Sequence, residues 1–120
     1  DMNLRQNLFQ IHLLMKESLI AYQQYIHNGK TFRFAKELRK CNTEMIDLLL
    51  HDSIRQCPDL SEAAHALIEH YIIWRNKWDD LAAILKPSPD DGFVFENEHR
   101  FPKWAAKKIE EAYELINAVG

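Results

Sequence analysis

The chain has 120 residues, of which 47% are hydrophobic and 28% are charged, and its formal net charge is −3. This length and composition are those of an ordinary globular protein, so we expect one domain over residues 1–120. The charge does not attract a polyanion to the molecule as a whole, and no apolar run reaches the length of a membrane span. We therefore expect no membrane partner and no general nucleic-acid binding.

The first predicted helix covers roughly residues 3–28, where apolar residues recur in steps of four and three, the spacing of one helical face. Gly29 follows and can take the left-handed conformation that commonly ends a helix. The stripe consists of Leu4, Leu8, Ile11, Met15, Ser18, Tyr22 and Tyr25, with Leu14, Leu19 and Ile26 beside it.

The second predicted helix covers roughly residues 31–55, and Pro58 with Asp59 ends that segment. Its stripe consists of Phe34, Leu38, Cys41, Met45, Leu48 and Leu49. The third predicted helix covers roughly residues 60–86. Its stripe consists of Ala64, Leu67, Tyr71, Trp74, Trp78, Leu81 and Leu85.

The fourth predicted helix covers roughly residues 102–119, with Pro102 suited to its first turn. Its stripe consists of Trp104, Ala105, Ile109, Ala112, Ile116 and Val119. Four amphipathic segments of this kind predict an all-α protein, with the helices in an antiparallel up-and-down four-helix bundle.

A long loop, about residues 87–101, separates the third and fourth predicted helices. Its residues Phe93, Val94 and Phe95 are too apolar for a free linker. We therefore expect the loop to fold back over an open end of the core, with a short extended piece as one form.

Glu62, His65 and Glu69 have the spacing that a metal site in a helical bundle can use. A helix turns about 100° per residue, which places these three side chains opposite the apolar stripe of the third helix, in solvent. Di-metal bundles require Glu-x-x-His on two helices, and residues 62–65 are the single instance within the four predicted helices. We expect no metal and no cofactor, and a site on these residues is the weaker alternative.

No local signature of catalysis occurs in the sequence: there is no glycine-rich phosphate loop and no GxSxG motif. The stretch HLLMK, residues 12–16, weakly suggests a phosphotransfer histidine, but no glycine follows to open space around the ring. A histidine beside the core is the simpler interpretation. Enzymatic activity is unsupported, although an active site built from distant residues stays open.

Basic residues run along one side of the second predicted helix, namely Arg33, Lys36 and Lys40. Such a row can contact phosphates, which makes nucleic-acid binding a third hypothesis. Glu44 and Asp47 continue the same side, and opposite charges along one helix usually form solvent-exposed ion pairs. We interpret this side as a solvated face.

Two apolar features of the third predicted helix need an explanation. Ile72 and Ile73 lie about 130° to either side of its stripe, too far apart for both to reach one core. The folded-back loop or a partner chain should cover them. Trp74 and Trp78 are interpreted as core, and a ligand pocket between them and Trp104 is the alternative.

The leading functional hypothesis is a non-enzymatic interaction or regulatory module that works through an exposed helix face, with a protein partner or as a homodimer. The alternative is a helical binding protein or enzyme for a small aromatic or metal ligand. Cys41 and Cys57 form no CxxC pair, and the two are expected to be reduced, so we expect a cytoplasmic location.

Overall fold

The computed structural model describes residues 3–94 and 100–119, and these residues form five α-helices with no β-strand among them. The prediction of an all-α protein is therefore confirmed. None of the helices in the described ranges is long and apolar enough to cross a lipid bilayer. The helices are α1 (Leu4–His27), α2 (Phe32–Leu49), α3 (Asp52–Arg55), α4 (Pro58–Leu85) and α5 (Lys103–Val119).

Both ends of α1 are defined by local chemistry. At its start, Asn3 and Gln6 cap each other: each side chain accepts a hydrogen bond from the other residue's backbone N–H. After its end, Gly29 has a φ of 81°, in the left-handed region that glycine enters without strain, as predicted. Lys30 follows with a φ of 55°, which costs a residue with a side chain roughly 1–2 kcal/mol.

The predicted second helix is wrong over its last turns, because the chain breaks there into α2 and the one-turn helix α3. His51 lies in the break with an extended backbone, and its ring accepts a hydrogen bond from the N–H of Ser53. Pro58 is the second correction. It does not end a segment but occupies the first turn of α4, where its missing N–H is not needed.

Asn7 of α1 accounts for the break between α2 and α3. Its side chain is fully buried, and its amide donates to the carbonyl of Leu48 and to the hydroxyl of Ser53, both at 3.1 Å. A carbonyl near the end of a helix lacks a partner within that helix. Asn7 supplies one from another helix and so stabilises the end of α2.

The long helices share one main apolar core. α1 and α4 each pack against both α2 and α5, and α3 packs against α1 and α4. The main core consists of Leu8, Ile11, Leu14, Met45, Ile46, Leu49, Ile54, Leu60, Ala63, Ala64, Leu67, Tyr71, Ala105 and Ile109. The predicted stripe of α4 is buried as far as Tyr71, whereas Leu85 at its end is exposed.

The segment that follows α4 folds back onto the start of α2, as predicted for the loop. The backbone N–H groups of Phe32 and Arg33 donate to the carbonyls of Asp91 and Pro89, both at 2.8 Å. The N–H of Phe93 donates to the carbonyl of Lys30 at 2.7 Å. Because the first N–H groups of a helix have no partner inside it, these loop carbonyls cap α2, whose Thr31 side chain makes no cap bond.

Phe93 is the apolar anchor of this loop and is 1% exposed. Its ring meets Phe32 and Trp74 edge-on, each with a centroid distance of 5.2 Å, and its carbonyl accepts a hydrogen bond from the Tyr25 hydroxyl. The second buried cluster consists of Tyr25, Phe32, Ala35, Leu38 and Phe93, with Trp74 and Trp78 packed against it. Val94 is exposed, and Phe95 lies outside the described residues.

The last helix is much shorter than the one before it. α5 has 17 residues and is about 26 Å long, whereas α4 has 28 residues and is about 42 Å long. Just before α5, Phe101 packs against the rings of His70 and Tyr71, midway along α4. α5 therefore leaves uncovered the end of the molecule that holds residues 28–31 and 86–94, which we call the loop end.

We predict that Phe93→Ala lowers the free energy of unfolding by about 3–5 kcal/mol, because a buried phenylalanine is replaced by a cavity. Urea unfolding followed by circular dichroism measures this change. The control is Val94→Ala at an exposed neighbouring position, which should change stability by less than about 0.5 kcal/mol. Equal effects of the two substitutions would contradict the anchoring role of Phe93.

Candidate functional site

The three candidate metal ligands lie on the solvent side of α4. Glu62, His65 and Glu69 are all exposed, as their spacing from the apolar stripe predicts. Residues 3–94 and 100–119 contain no group of three His, Cys, Asp or Glu side chains close enough to hold a metal ion. Glu62, His65 and Glu69 therefore do not converge on a metal site inside the helical core.

The predicted apolar surface at Ile72 and Ile73 is less open than their positions on a regular helix suggest. Both side chains are half-buried. Ile72 packs against the main core, whereas Ile73 belongs to neither buried cluster. Ile72 is covered because α5 and the chain just before it pack against this part of α4.

The three tryptophans lie in two different surroundings. Trp74 and Trp78 pack against the second buried cluster, with Trp74 on Phe93. Trp104 is half-exposed in the first turn of α5 and belongs to neither buried cluster. Trp104 thus shares no buried cluster with the other two, and a pocket between all three stays a prediction.

The basic row on α2 is exposed and partly paired. Arg33, Lys36 and Lys40 all face solvent. The guanidinium of Arg33 lies 3.3 Å from the carboxylate of Asp90, and both of these side chains are exposed. Lys36 and Lys40 have no ion pair within the described ranges. The row therefore keeps two unpaired ammonium groups.

Arg39, beside that row, makes the best-defined ion pair of the molecule. Its Nε and Nη2 donate to the two carboxylate oxygens of Asp79, at 2.7 and 3.2 Å, and its guanidinium lies 5.5 Å from the centre of the Trp78 ring. The hydrogen bond with Asp79 raises the pKa of Arg39 above its ordinary value. This pair joins α2 to α4 and holds the indole of Trp78 against α2.

A groove of about 510 Å³ lies over Trp78, between α2 and α4. Two of its polar groups have no hydrogen-bond partner although they are buried: the indole N–H of Trp78 and the hydroxyl of Thr43. Unpaired buried polar groups are uncommon because each costs about 1–3 kcal/mol. The lining residues are Lys36, Glu37, Arg39, Lys40, Thr43, Glu44 and Trp78.

Several of the exposed apolar side chains near the loop end stand in two rows. On α1, Leu19 lies seven residues, or two turns, after His12, which contacts α5. On α4, Ile84 lies fourteen residues after His70, which contacts Phe101. Both rows therefore continue the sides that face α5 into the region that α5 does not reach. We call their residues the open face: Leu19, Tyr22, Ile26, Lys77, Asp80 and Ile84.

The open face is strongly apolar for a solvent-exposed surface. Leu19 is 57% exposed and Ile84 is 75% exposed, while Tyr22 and Ile26 are at least one-third exposed. The sequence pattern had placed Leu19 and Ile26 beside the core stripe and Tyr22 within it. The sequence pattern did not predict the exposure of these residues. Their exposure depends on where α5 begins relative to α4, and the spacing of residues within one helix contains no information on that position.

The sequence matches no family model, and neither curated proteins nor solved structures include a significant match to it.

Two buried tyrosines should make the protein less stable at alkaline pH. Burial raises the pKa of Tyr71 and, to a smaller extent, that of Tyr25, whose hydroxyl also donates to Phe93. The unfolded chain releases these protons near pH 10, whereas the folded chain keeps them, so stability is fully present below about pH 10 and is lost above it. We predict that the urea midpoint falls above pH 10.

The variant Tyr71→Phe tests this prediction. Above pH 10, its free energy of unfolding should decrease less steeply with pH than that of the wild type, by up to about 1.4 kcal/mol per pH unit. Tyr22→Phe, at a half-exposed tyrosine, controls for the loss of a hydroxyl group. An unchanged pH dependence in Tyr71→Phe would contradict the assignment.

Proposed function

We propose that the protein is a non-enzymatic interaction module that associates with a second copy of itself through the open face. The observation that carries this proposal is the exposure of Leu19 and Ile84. These residues lie on the same sides of α1 and α4 that contact α5, or the chain just before it, further along each helix. Monomeric proteins seldom expose large apolar patches to water, so several exposed apolar side chains on one side of the molecule support an interface there.

The energetic argument rests on the apolar side chains of this face. Fully burying a leucine or isoleucine side chain contributes about 1.5–3 kcal/mol, and Leu19, Ile26, Tyr22 and Ile84 are available. A micromolar dissociation constant corresponds to about 8 kcal/mol. A two-fold interface uses each side chain twice, and the cost of association offsets part of this gain, so a patch of this size supports a weak dimer rather than a tight one.

The charges of the open face support a second copy as the partner. Lys77 and Asp80 are both exposed on α4, one turn apart, and neither has an ion-pair partner in the part of the chain that the structure describes. A two-fold axis that places α4 antiparallel to its copy brings each lysine near the other copy's aspartate. A face that carries both signs is thus complementary to itself.

We also propose that the four long helices form an antiparallel up-and-down four-helix bundle in the cytoplasm. The packing of α1 and α4 against both α2 and α5 supports this topology, as do the connections of four residues between α1 and α2 and of eight residues, including α3, between α2 and α4. Cys41 and Cys57 are free thiols, and burial raises the pKa of the Cys41 thiol, which keeps it protonated. Free thiols suit a reducing compartment.

The test is a concentration series by light scattering or sedimentation on the wild type, Leu19→Glu and Ile84→Glu. We expect a wild-type dimer at micromolar to millimolar concentration. Each substitution places two charges in the two-fold interface, so the dissociation constant should rise about 100-fold, which equals roughly 2.8 kcal/mol. Both positions are exposed, so folding should be unaffected.

The matched control is Leu115→Glu, on α5, at a leucine that is 67% exposed and lies outside the open face. This variant should dimerise like the wild type. A wild type that stays monomeric at every concentration, or equal weakening by all three substitutions, would refute self-association through this surface.

A second function is favoured by the groove over Trp78, namely binding of a small aromatic anion. The indole of Trp78 offers an apolar surface, and its unpaired N–H and the unpaired hydroxyl of Thr43 offer hydrogen bonds after a small rearrangement. Lys36 and Lys40 on the same groove supply positive charge for the carboxylate end of a ligand, beside the negative charges of Glu37 and Glu44. An aromatic carboxylate matches these three properties together.

Titration with naphthoate, followed by tryptophan fluorescence and calorimetry, tests this second function. We expect binding in the millimolar range or tighter, and about a 10-fold weaker affinity for a Lys36→Ala/Lys40→Ala double variant. Lys77→Ala, on the open face, is the control and should bind normally. Absence of binding, or equal affinities in all three proteins, would dispose of the groove as a ligand site.

A further inference from the structure

His12 and Glu110 form a histidine–carboxylate pair between α1 and α5, outside the open face. Nδ1 of His12 lies 2.8 Å from a carboxylate oxygen of Glu110. The side chains are 20% and 30% exposed, so the pair lies at the protein surface but is partly shielded from water. An ionised carboxylate can only accept a hydrogen bond, so this contact places the ring proton of a neutral His12 on Nδ1.

The other ring nitrogen of His12 is not fully buried. Nε2 has no hydrogen-bond partner in the described part of the chain, and it is not among the side-chain atoms that are buried without one. With the proton held on Nδ1, the free electron pair of the ring lies on Nε2. The contact with Glu110 therefore directs the nucleophilic nitrogen outwards.

Two further features fix and surround this ring. Tyr113 of α5 stacks on His12 with a centroid distance of 4.4 Å and an angle of 19° between the rings, which restricts the imidazole to one plane. Lys16 lies one turn after His12 on α1 and Arg5 two turns before it. Both cations are exposed and have no ion pair within the described ranges.

We propose that His12 is a phosphoryl-accepting histidine, with Nε2 as the nucleophile and Glu110 as its positioning residue. An oriented imidazole with an adjacent carboxylate is a known form of activated nucleophile. The neighbouring Lys16 and Arg5 favour a phosphoryl group over a neutral electrophile, because their positive charges can offset the negative charge of the phosphoryl group that His12 receives. This activity is independent of self-association.

The transfer step is balanced with phosphoramidate as the phosphoryl donor. The electron pair of Nε2 attacks phosphorus, a new N–P bond forms, and the P–N bond of the donor breaks. The leaving nitrogen, already protonated in the donor, departs as ammonia. The imidazole becomes cationic, and its Nδ1 proton stays hydrogen-bonded to Glu110, whose negative charge stabilises the product.

Other histidines of the chain provide an internal comparison. His27 and His65 are exposed but make no hydrogen bond or ion pair through their rings within the described ranges. If exposure alone decided reactivity, these two would react faster than His12, which is 20% exposed. The proposal predicts the opposite order, which makes the comparison decisive.

The experiment incubates the full chain with phosphoramidate and follows the gain of one phosphoryl group by intact-mass spectrometry, with the site located by fragmentation. We expect acid-labile phosphorylation at His12, at least 10-fold faster than at His27 or His65. His12→Gln should abolish this fast phase, whereas the control His65→Gln should retain it. Equal labelling of the three histidines, or no labelling of His12, would overturn the proposal.

The role of Glu110 is tested by Glu110→Gln, which keeps the shape of the side chain but removes its charge. We expect the rate at His12 to fall at least 10-fold. Nitrogen-15 NMR of the ring should show the Nδ1–H tautomer in the wild type and a shift toward the other tautomer in the variant, a signature that a loss of packing alone does not produce. An unchanged rate or an unchanged tautomer would remove Glu110 from the role.

Discussion

The insertion of Phe93 between α1, α2 and α4 is the interaction on which the loop end of the molecule depends. α5 is too short to cover that end, so the second buried cluster would otherwise face water. One aromatic ring closes it, and the same segment supplies the carbonyls that cap α2. Apolar burial and backbone hydrogen bonding thus act on the same few residues and stabilise each other.

Much of this architecture could be predicted from spacing alone. The stripes of α1 and α4, the turn at Gly29 and the solvent side of Glu62 and His65 follow from helical periodicity and local conformational preference. The break between α2 and α3 could not be predicted, because it depends on Asn7, which is 41 positions from the carbonyl it binds. Local patterns contain no information on such a contact.

The candidate sites were harder to predict for the same reason. His12 and Glu110 are 98 positions apart, and neither has a neighbourhood that points to the other. A helical wheel measures angles around the axis of one helix, so it placed Ile72 far from the apolar stripe of α4. It contains no information on α5, which extends the main core as far as Ile72. The exposure of Trp104 could not be predicted, because the start of α5 determines its surroundings and that start is set by tertiary packing.

The dependence of α2 on its distant cap has a consequence for how the chain folds. The N–H groups of Phe32 and Arg33 pair with carbonyls 59 and 56 positions later, so the first turn of α2 cannot be completed by local contacts. Closing a loop of that length costs entropy before any contact compensates for it. The middle of α2 can therefore form early with α1, whereas its beginning becomes ordered late, when the chain after α4 returns.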